Sequence, residues 1–279
     1  MQPIDEAGRL NELMWDRHAA TGDHFSSRPK ATLDVQAFRD YAAGRSSRLP
    51  QPYCDEFPAC IMMESASGKD VLCLASGGGH QSAEFGLLGA YVTVLDISAG
   101  QLGLDERMAE HYGYALKTVQ ADMRDLSAFA PASFDRVVQG VGLCFVPDVR
   151  EVYREVARVL RPGGLYSAVH ENPFTYPADF AGPDNGWDGK GYRITEPYLG
   201  GPIRKASDGR DTMGDGEFTG EFRHLLSDVF NGLIESGLNL FRIGGDSAGD
   251  RLAEPGSRAH MQAVVPQYFC TIVQRRRGD

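Results

Sequence analysis

The segment Val71-Leu72-Cys73-Leu74-Ala75-Ser76-Gly77-Gly78-Gly79 is an apolar run that ends in glycines. With no Cβ in the way, a backbone of this kind bends tightly and comes close to a ligand. A helix starting near His80 would turn its free N–H groups toward the same ligand. Alone, the turn specifies a nucleotide-like ligand or no more than a flexible loop. Asp96 closes a second apolar run, Val92-Thr93-Val94-Leu95. An acid at that place accepts hydrogen bonds from both hydroxyls of a ribose. The competing role is a helix N-cap, which Asp96 or Ser98 could fill. Gln120-Ala121-Asp122-Met123 follows a third run. Its carboxylate can accept from an adenine amino group while Met123 flanks the ring, or Asp122 can simply cap the loop.

These residues need a scaffold that brings strand ends together. Residues 69–76, 91–96, 116–120, 134–140 and 164–170 read as short buried strands. Helical patterns at 80–88, 98–112, near 125–129 and at 149–160 lie between them. Such alternation predicts a parallel sheet with right-handed crossovers and helices on both faces. Before it, residues 6–20 read as a helix with its apolar face at Leu10, Leu13, Met14 and Trp15. Residues 33–43 and 53–65 are shorter helical candidates. We expect a helical cap over 1–67 and the main domain over 68–279. Residues 172–216 are dense in glycine and proline and have no period, which predicts an insertion, lid or substrate loop. Regularity returns with a strand at 217–222, a helix at 224–236, and strands at 238–243 and 268–274. Residues 248–266 read as irregular. Arg158-Val159-Leu160-Arg161-Pro162-Gly163-Gly164 is a helix stop followed by a tight turn.

Bulk properties limit the function classes. The 279 residues suffice for one α/β domain with a substantial core, and 42% hydrophobic with 24% charged residues are globular values. A net charge of -10 disfavours a phosphate backbone as partner, so no nucleic acid is expected. Arg275-Arg276-Arg277, the only dense basic run, reads as a solvated tail. No signal-peptide pattern and no apolar stretch long enough to span a membrane are present. The five cysteines lack metal-type spacing, so no metal is expected. Cys73 and Cys144 read as buried thiols in a reducing, cytoplasmic protein.

Taken in order and spacing, these motifs resemble the class I S-adenosylmethionine (SAM)-dependent methyltransferases, in particular their bacterial small-molecule branch. The likeness covers about residues 69–171, with Phe134-Asp135-Arg136-Val137-Val138 and Leu160-Arg161-Pro162-Gly163-Gly164 completing it. It implies a doubly wound, mostly parallel seven-stranded sheet whose last strand is antiparallel. It implies SAM as cofactor, S-adenosylhomocysteine as product and a small-molecule methyl acceptor. Ala75, Ser76, Gly77 and Gly79 would line the methionine part, Asp96 would hold the ribose, and Ile97 and Met123 would sandwich the adenine, with Asp122 at its amino group. Gln81 and Gln101 join this cofactor set. Gly140 and Val141 would lie beside the sulfonium, and Trp15 would cover the cofactor. The chain departs from the family pattern at Cys73, where an acid usually orders the glycine loop, and at Ala75, usually glycine. A dinucleotide-binding oxidoreductase would need a third glycine where Ser82 stands. A catalytically silent SAM-binding protein is a further alternative. For a general base, the loops at the carboxyl edge of the sheet are the place to look. His170 is the first candidate there, His80 and Tyr176 the others, with His18 and His24 behind them.

Overall fold

The computed structural model describes residues 4–24, 27, 33–50, 59–175, 186–194, 197–205, 211–212, 216–245 and 249–277. Three helices lead in: α1 (Glu6–Thr21), α2 (Val35–Ala42) and α3 (Ala59–Met63). Then come β1 (Asp70–Leu74), α4 (His80–Leu87), β2 (Tyr91–Asp96), α5 (Ala99–Tyr112), β3 (Leu116–Gln120), β4 (Phe134–Val141), α6 (Val149–Val159) and β5 (Leu160–Glu171). The chain continues with β6 (Gly201–Lys205), β7 (Asp211–Thr212), β8 (Glu217–Arg223), α7 (Leu226–Glu235), β9 (Leu238–Gly244), α8 (Arg258–Val264) and β10 (Tyr268–Arg275).

The main sheet has seven strands in the order β3-β2-β1-β4-β5-β10-β9. The pairs from β3 to β5 are parallel, and β10 runs antiparallel between β5 and β9. Side chains alternate across a strand, so β1 serves two cores. Leu72 and Leu74 pack with Val152, Tyr153 and Val156 of α6 and Leu233 of α7. Val71 and Cys73 pack on the opposite face with Phe38 of α2, Met62 and Met63 of α3, Ala83 of α4 and Met108 of α5. The strand order steps from β1 outward in both directions, to β2 and to β4. That reversal opens a crevice at the carboxyl ends of these strands, the place where ligands bind in such sheets.

The structure corrects several expectations. Helix α1 forms, but its buried residues are Ala7, Gly8 and Asn11, while Leu13 is 69% exposed. Small residues let the helix lie close against loops, and the leucines face out. Residues 125–129 form turns rather than a helix. Residues 248–266 contain α8, capped by the Ser257 hydroxyl on the His260 N–H. The 172–216 segment contributes β6 and β7, which join β8 in a second, three-stranded sheet. The arginine run is not a free tail. Arg275 belongs to β10 and donates to the carbonyls of Arg158 and Leu160 at the end of α6, and Arg276 bonds Asn239 Oδ1 at 3.0 Å. The Pro162-Gly163-Gly164 turn is looped out between the β4–β5 pairs Phe134↔Leu160 and Arg136↔Leu165. No helix among the described residues is long and apolar enough to cross a membrane.

Candidate functional site

The turn after β1 is left-handed at almost every step. Gly77, Gly78 and Gly79 have φ of 57°, 76° and 86°, and Ala75 has φ of 46°. Glycine accepts this freely, whereas Ala75 carries strain there. The Ala75 N–H is held by the Leu95 carbonyl at 2.8 Å, which ties the turn to the end of β2. Gly79 is the N-cap of α4 and has no side chain to offer, so the first N–H groups of that helix remain directed at the turn. Ser76 Oγ, Gln81 Oε1 and Gln101 Oε1 are buried without a hydrogen-bond partner among the described residues. Buried polar atoms of this kind ask for a polar ligand.

Asp96 ends β2 and is buried. Its Oδ1 accepts the Ser98 N–H at 2.9 Å, and the N–H groups of Gly77 and Ile97 lie near enough to favour its charged form. Burial nevertheless dominates and pushes its pKa up to about 6. Capping of α5 falls to Ser98, whose Oγ accepts from the Gln101 N–H at 3.1 Å. Asp96 is therefore spared the capping role. Met123 is buried, and its sulfur accepts from Gln139 Nε2 at 3.2 Å. A Cβ placed on Gly142 would lie 3.4 Å from Ala75 Cβ and 3.8 Å from Met123 Cε, and one on Gly140 would lie 3.3 Å from Gln81 Nε2. Ala75, Gln81, Met123 and the end of β4 thus meet in one place. Val141 is part-exposed beside them. Asp122 has both oxygens engaged by Arg124, which bridges on to Asp5, the N-cap of α1. Its carboxylate enters the site already paired with a cation, a partner its sequence position did not announce.

Helix α1 lies across the ends of these strands. Asp16 Oδ1 accepts from the Ser98 hydroxyl at 2.6 Å and the Gly100 N–H at 2.9 Å. Asn11 Nδ2 donates to the carbonyls of Phe145 and Gly220. Trp15 stands edge-on to Phe145 with ring centroids 5.6 Å apart, and its carbonyl accepts from Gln101 Nε2. The helix spans from Asp122 at one end to the start of α5 at the other. Asn11 and Asp16 were missed by sequence reading, because polar residues on an amphipathic helix read as its solvent face.

His170 closes β5, buried, with Nε2 2.9 Å from Thr271 Oγ1 and its ring stacked 4.9 Å from Phe269. Burial drives its pKa down to about 3, so the ring is neutral. It lines a small cavity with Val141, Leu143, Val169, Phe222 and His224. His224, also missed, has its Nε2 on the Leu143 carbonyl at 3.0 Å, and burial lowers its pKa. His80 is buried at the start of α4, beside the glycine turn and away from that cavity's lining. His18 and His24 pack on Trp15 instead. Tyr176 lies outside the described residues. Among the described residues no cluster of three His, Cys, Asp or Glu side chains could hold a metal.

A glycine turn, a buried acid at the next strand end and a seven-stranded sheet with one antiparallel strand define a class I methyltransferase fold. Residues 72–168 match the methyltransferase domain family. An uncharacterized methyltransferase of Bacillus subtilis, YbaJ, is 31% identical over 231 residues, 81% of this chain and 86% of the relative. A SAM-dependent methyltransferase from Mesorhizobium loti superposes with a TM-score of 0.59 at 23% identity, covering 80% of this chain and 99% of its own. The 1,6-didemethyltoxoflavin-N1-methyltransferase of Burkholderia thailandensis, solved with 1,6-didemethyltoxoflavin and S-adenosylhomocysteine, gives 0.56 at 13% identity, covering 99% of this chain and 92% of its own. The chain belongs to the class I SAM-dependent methyltransferase family, and SAM is its cofactor.

Proposed function

We propose that this methyltransferase acts on a small, largely apolar organic molecule in the cytoplasm. The observation that carries the reading is the cavity at the ends of β4 and β5. Its walls are Val141, Leu143, Val149, Val169, Phe222 and Val229, with the imidazoles of His170 and His224, the Cys144 thiol and the Glu171 carboxylate as polar points. Pockets for small molecules have this make-up, apolar walls with few polar groups. The net charge of -10 argues against RNA. The free, buried Cys73, Cys144 and Cys270 suit a reducing compartment. The Burkholderia methyltransferase of the same fold, solved with 1,6-didemethyltoxoflavin bound, supports the same acceptor class.

SAM, when bound, supplies an activated methyl group on a sulfonium. The protein's share is to hold and orient. Ala75, Ser76, Gly77, Gly79, His80 and Gln81 would receive the amino-acid end. Asp96 and Gln101 would take the ribose, Ile97, Met123 and Asp122 the adenine. Gly140 and Val141 would border the reacting methyl, with Trp15 and α1 shutting out water. His170, neutral and facing the cavity, orients the acceptor more readily than it stores a proton. Tyr176 is retained as a second candidate for contact with the acceptor.

The test is incubation with methyl-labelled SAM and three acceptor pools: a small-metabolite extract, total RNA and a protein lysate. Label in the metabolite pool is expected. Label confined to RNA or protein would overturn the acceptor class. Binding of SAM with no transfer to any pool would favour the catalytically silent alternative.

A further inference from the structure

Beneath the glycine turn lies a carboxylate without a role so far. Asp105 projects from the buried stripe of α5, which runs Gln101, Leu102, Leu104, Asp105, Met108, Ala109, Tyr112, and it is 0% exposed. Among the described residues no lysine or arginine pairs with it. Its Oδ1 accepts the Ser82 hydroxyl at 2.6 Å, and the Tyr114 hydroxyl donates in turn to Ser82 Oγ at 3.1 Å. The Gly79 N–H lies near enough to favour its charged form, and its Oδ2 is buried with no hydrogen-bond partner among the described residues. Both Gly79 and Ser82 belong to the junction of turn and α4. Gly79 sits so close to α5 that a Cβ there would lie 2.5 Å from Met108 Cγ and 3.4 Å from Asp105 Cα.

A buried carboxylate with no cation is costly, and an apolar residue would fill that place on the helix more cheaply. What the acid provides in return is a strong acceptor aimed at one N–H and one O–H of the turn. On the strand beside it stands Cys73, fully buried, its thiol held protonated by burial and by the charges of Asp105 and Glu84. A protonated thiol cannot organise the turn as a carboxylate does.

We infer that Asp105 is the positioning residue of the cofactor site: from α5 it fixes Gly79 and Ser82, and so the turn that receives the amino-acid end of SAM, a task that β1 leaves undone at Cys73. The inference rests on the reading of that turn as the SAM site. It carries a consequence for pairs of residues. An acid on β1 and an acid on α5 would share one dry pocket, where two carboxylates cannot both ionise. Each is then tolerated only in the absence of the other.

The experiment measures S-adenosylhomocysteine affinity by calorimetry, amide hydrogen exchange across residues 77–82 and the melting temperature, at a temperature where all variants are folded. Asp105→Ala should weaken affinity at least tenfold and speed exchange in the turn. Asp105→Asn, which keeps an acceptor oxygen, should stay within about threefold of wild type. Cys73→Asp should weaken binding in the wild-type background and strengthen it in the Asp105→Ala background. Ser82→Ala, a milder change, should loosen the turn while leaving the melting temperature near wild type. Wild-type binding with Asp105→Ala unchanged overturns the inference alone. So does a loss that appears only as a lower melting temperature, with affinity and exchange intact. Failure of the wild-type protein to bind overturns the cofactor reading at that turn, and this inference with it.

Discussion

Burial acts on two sets of groups at the carboxyl edge of the sheet, with opposite results. On the β1–β2 side it raises Asp96 to about 6 and Asp105 to about 7. On the β4–β5 side it lowers His170 to about 3 and lowers His224 as well. Desolvation penalises the charged form in both cases. At neutral pH Asp96 is mostly ionised and Asp105 about half so, and a cationic cofactor beside them would favour the charged form of both. Burial favours the neutral form of both histidines. One side of the crevice thus holds buried carboxylates, and the other holds two neutral imidazoles, with Glu171 at the cavity's edge. That division suits a reaction in which the positive charge belongs to the cofactor and the acceptor must be stripped of water.

The largest expected effect tests the charged side. Asp96→Ala should weaken S-adenosylhomocysteine binding by about 1–3 kcal/mol, the cost of leaving polar groups unpaired, as read by calorimetry. Unchanged affinity would reduce Asp96 to a loop residue and break the comparison. On the neutral side, His170→Ala should spare that affinity and lower kcat about tenfold, short of the ~100-fold or more of a lost general base. With its pKa near 3, His170 should add no limb to the kcat profile between pH 6 and 8. A limb in that range that vanishes in His170→Ala would show that the ring does hold a proton.

The smallest effect is on the stability of the free protein. A carboxylate whose folded pKa is raised contributes stability that is present below its unfolded value and lost as pH rises through the folded one. For Asp96 and Asp105 that window runs from the ordinary aspartate value of 3.8 up to about 6 and about 7. A histidine whose pKa is lowered contributes stability above its unfolded value of 6.5, lost as pH falls toward about 3 for His170. The two trends oppose each other, so the wild-type melting temperature should change little between pH 5.5 and 7.5 (roughly one pH unit either side of the histidine value). Asp105→Asn should make it fall on acidification, and His170→Phe should make it rise. Parallel slopes in the two variants would show that the groups do not titrate as opposed sets. Facing charges belong to the same account: Asp16 opposite Asp96, and Glu106 with Asp96 near Asp105.

The cofactor half was legible because its signals are local. An apolar run, a glycine turn and an acid at the next strand end can be read within about 26 residues; the strand at 70–74 falls inside the expected 69–76 and the one at 91–96 matches. The small sheet was not legible, because β6 pairs with β8 through Gly201↔Arg223 across a segment with no period of its own. The face of α1 was misread because packing there is done by Gly8 and Asn11, not by Leu13. Asp105 escaped notice for its residue type, since an acid on a helix reads as solvent-facing. Its position on the stripe Gln101, Asp105, Met108, Tyr112 held the signal.

The bond from Asn11 to the Gly220 carbonyl joins residues 209 positions apart. During synthesis, α1 leaves the ribosome long before β8 exists to receive it. The helix can meet α5 and Arg124 once those residues have emerged, but its bond to Gly220 must wait for β8. In the nascent protein the roof over the crevice is therefore laid from the α5 side first and fastened at β8 later.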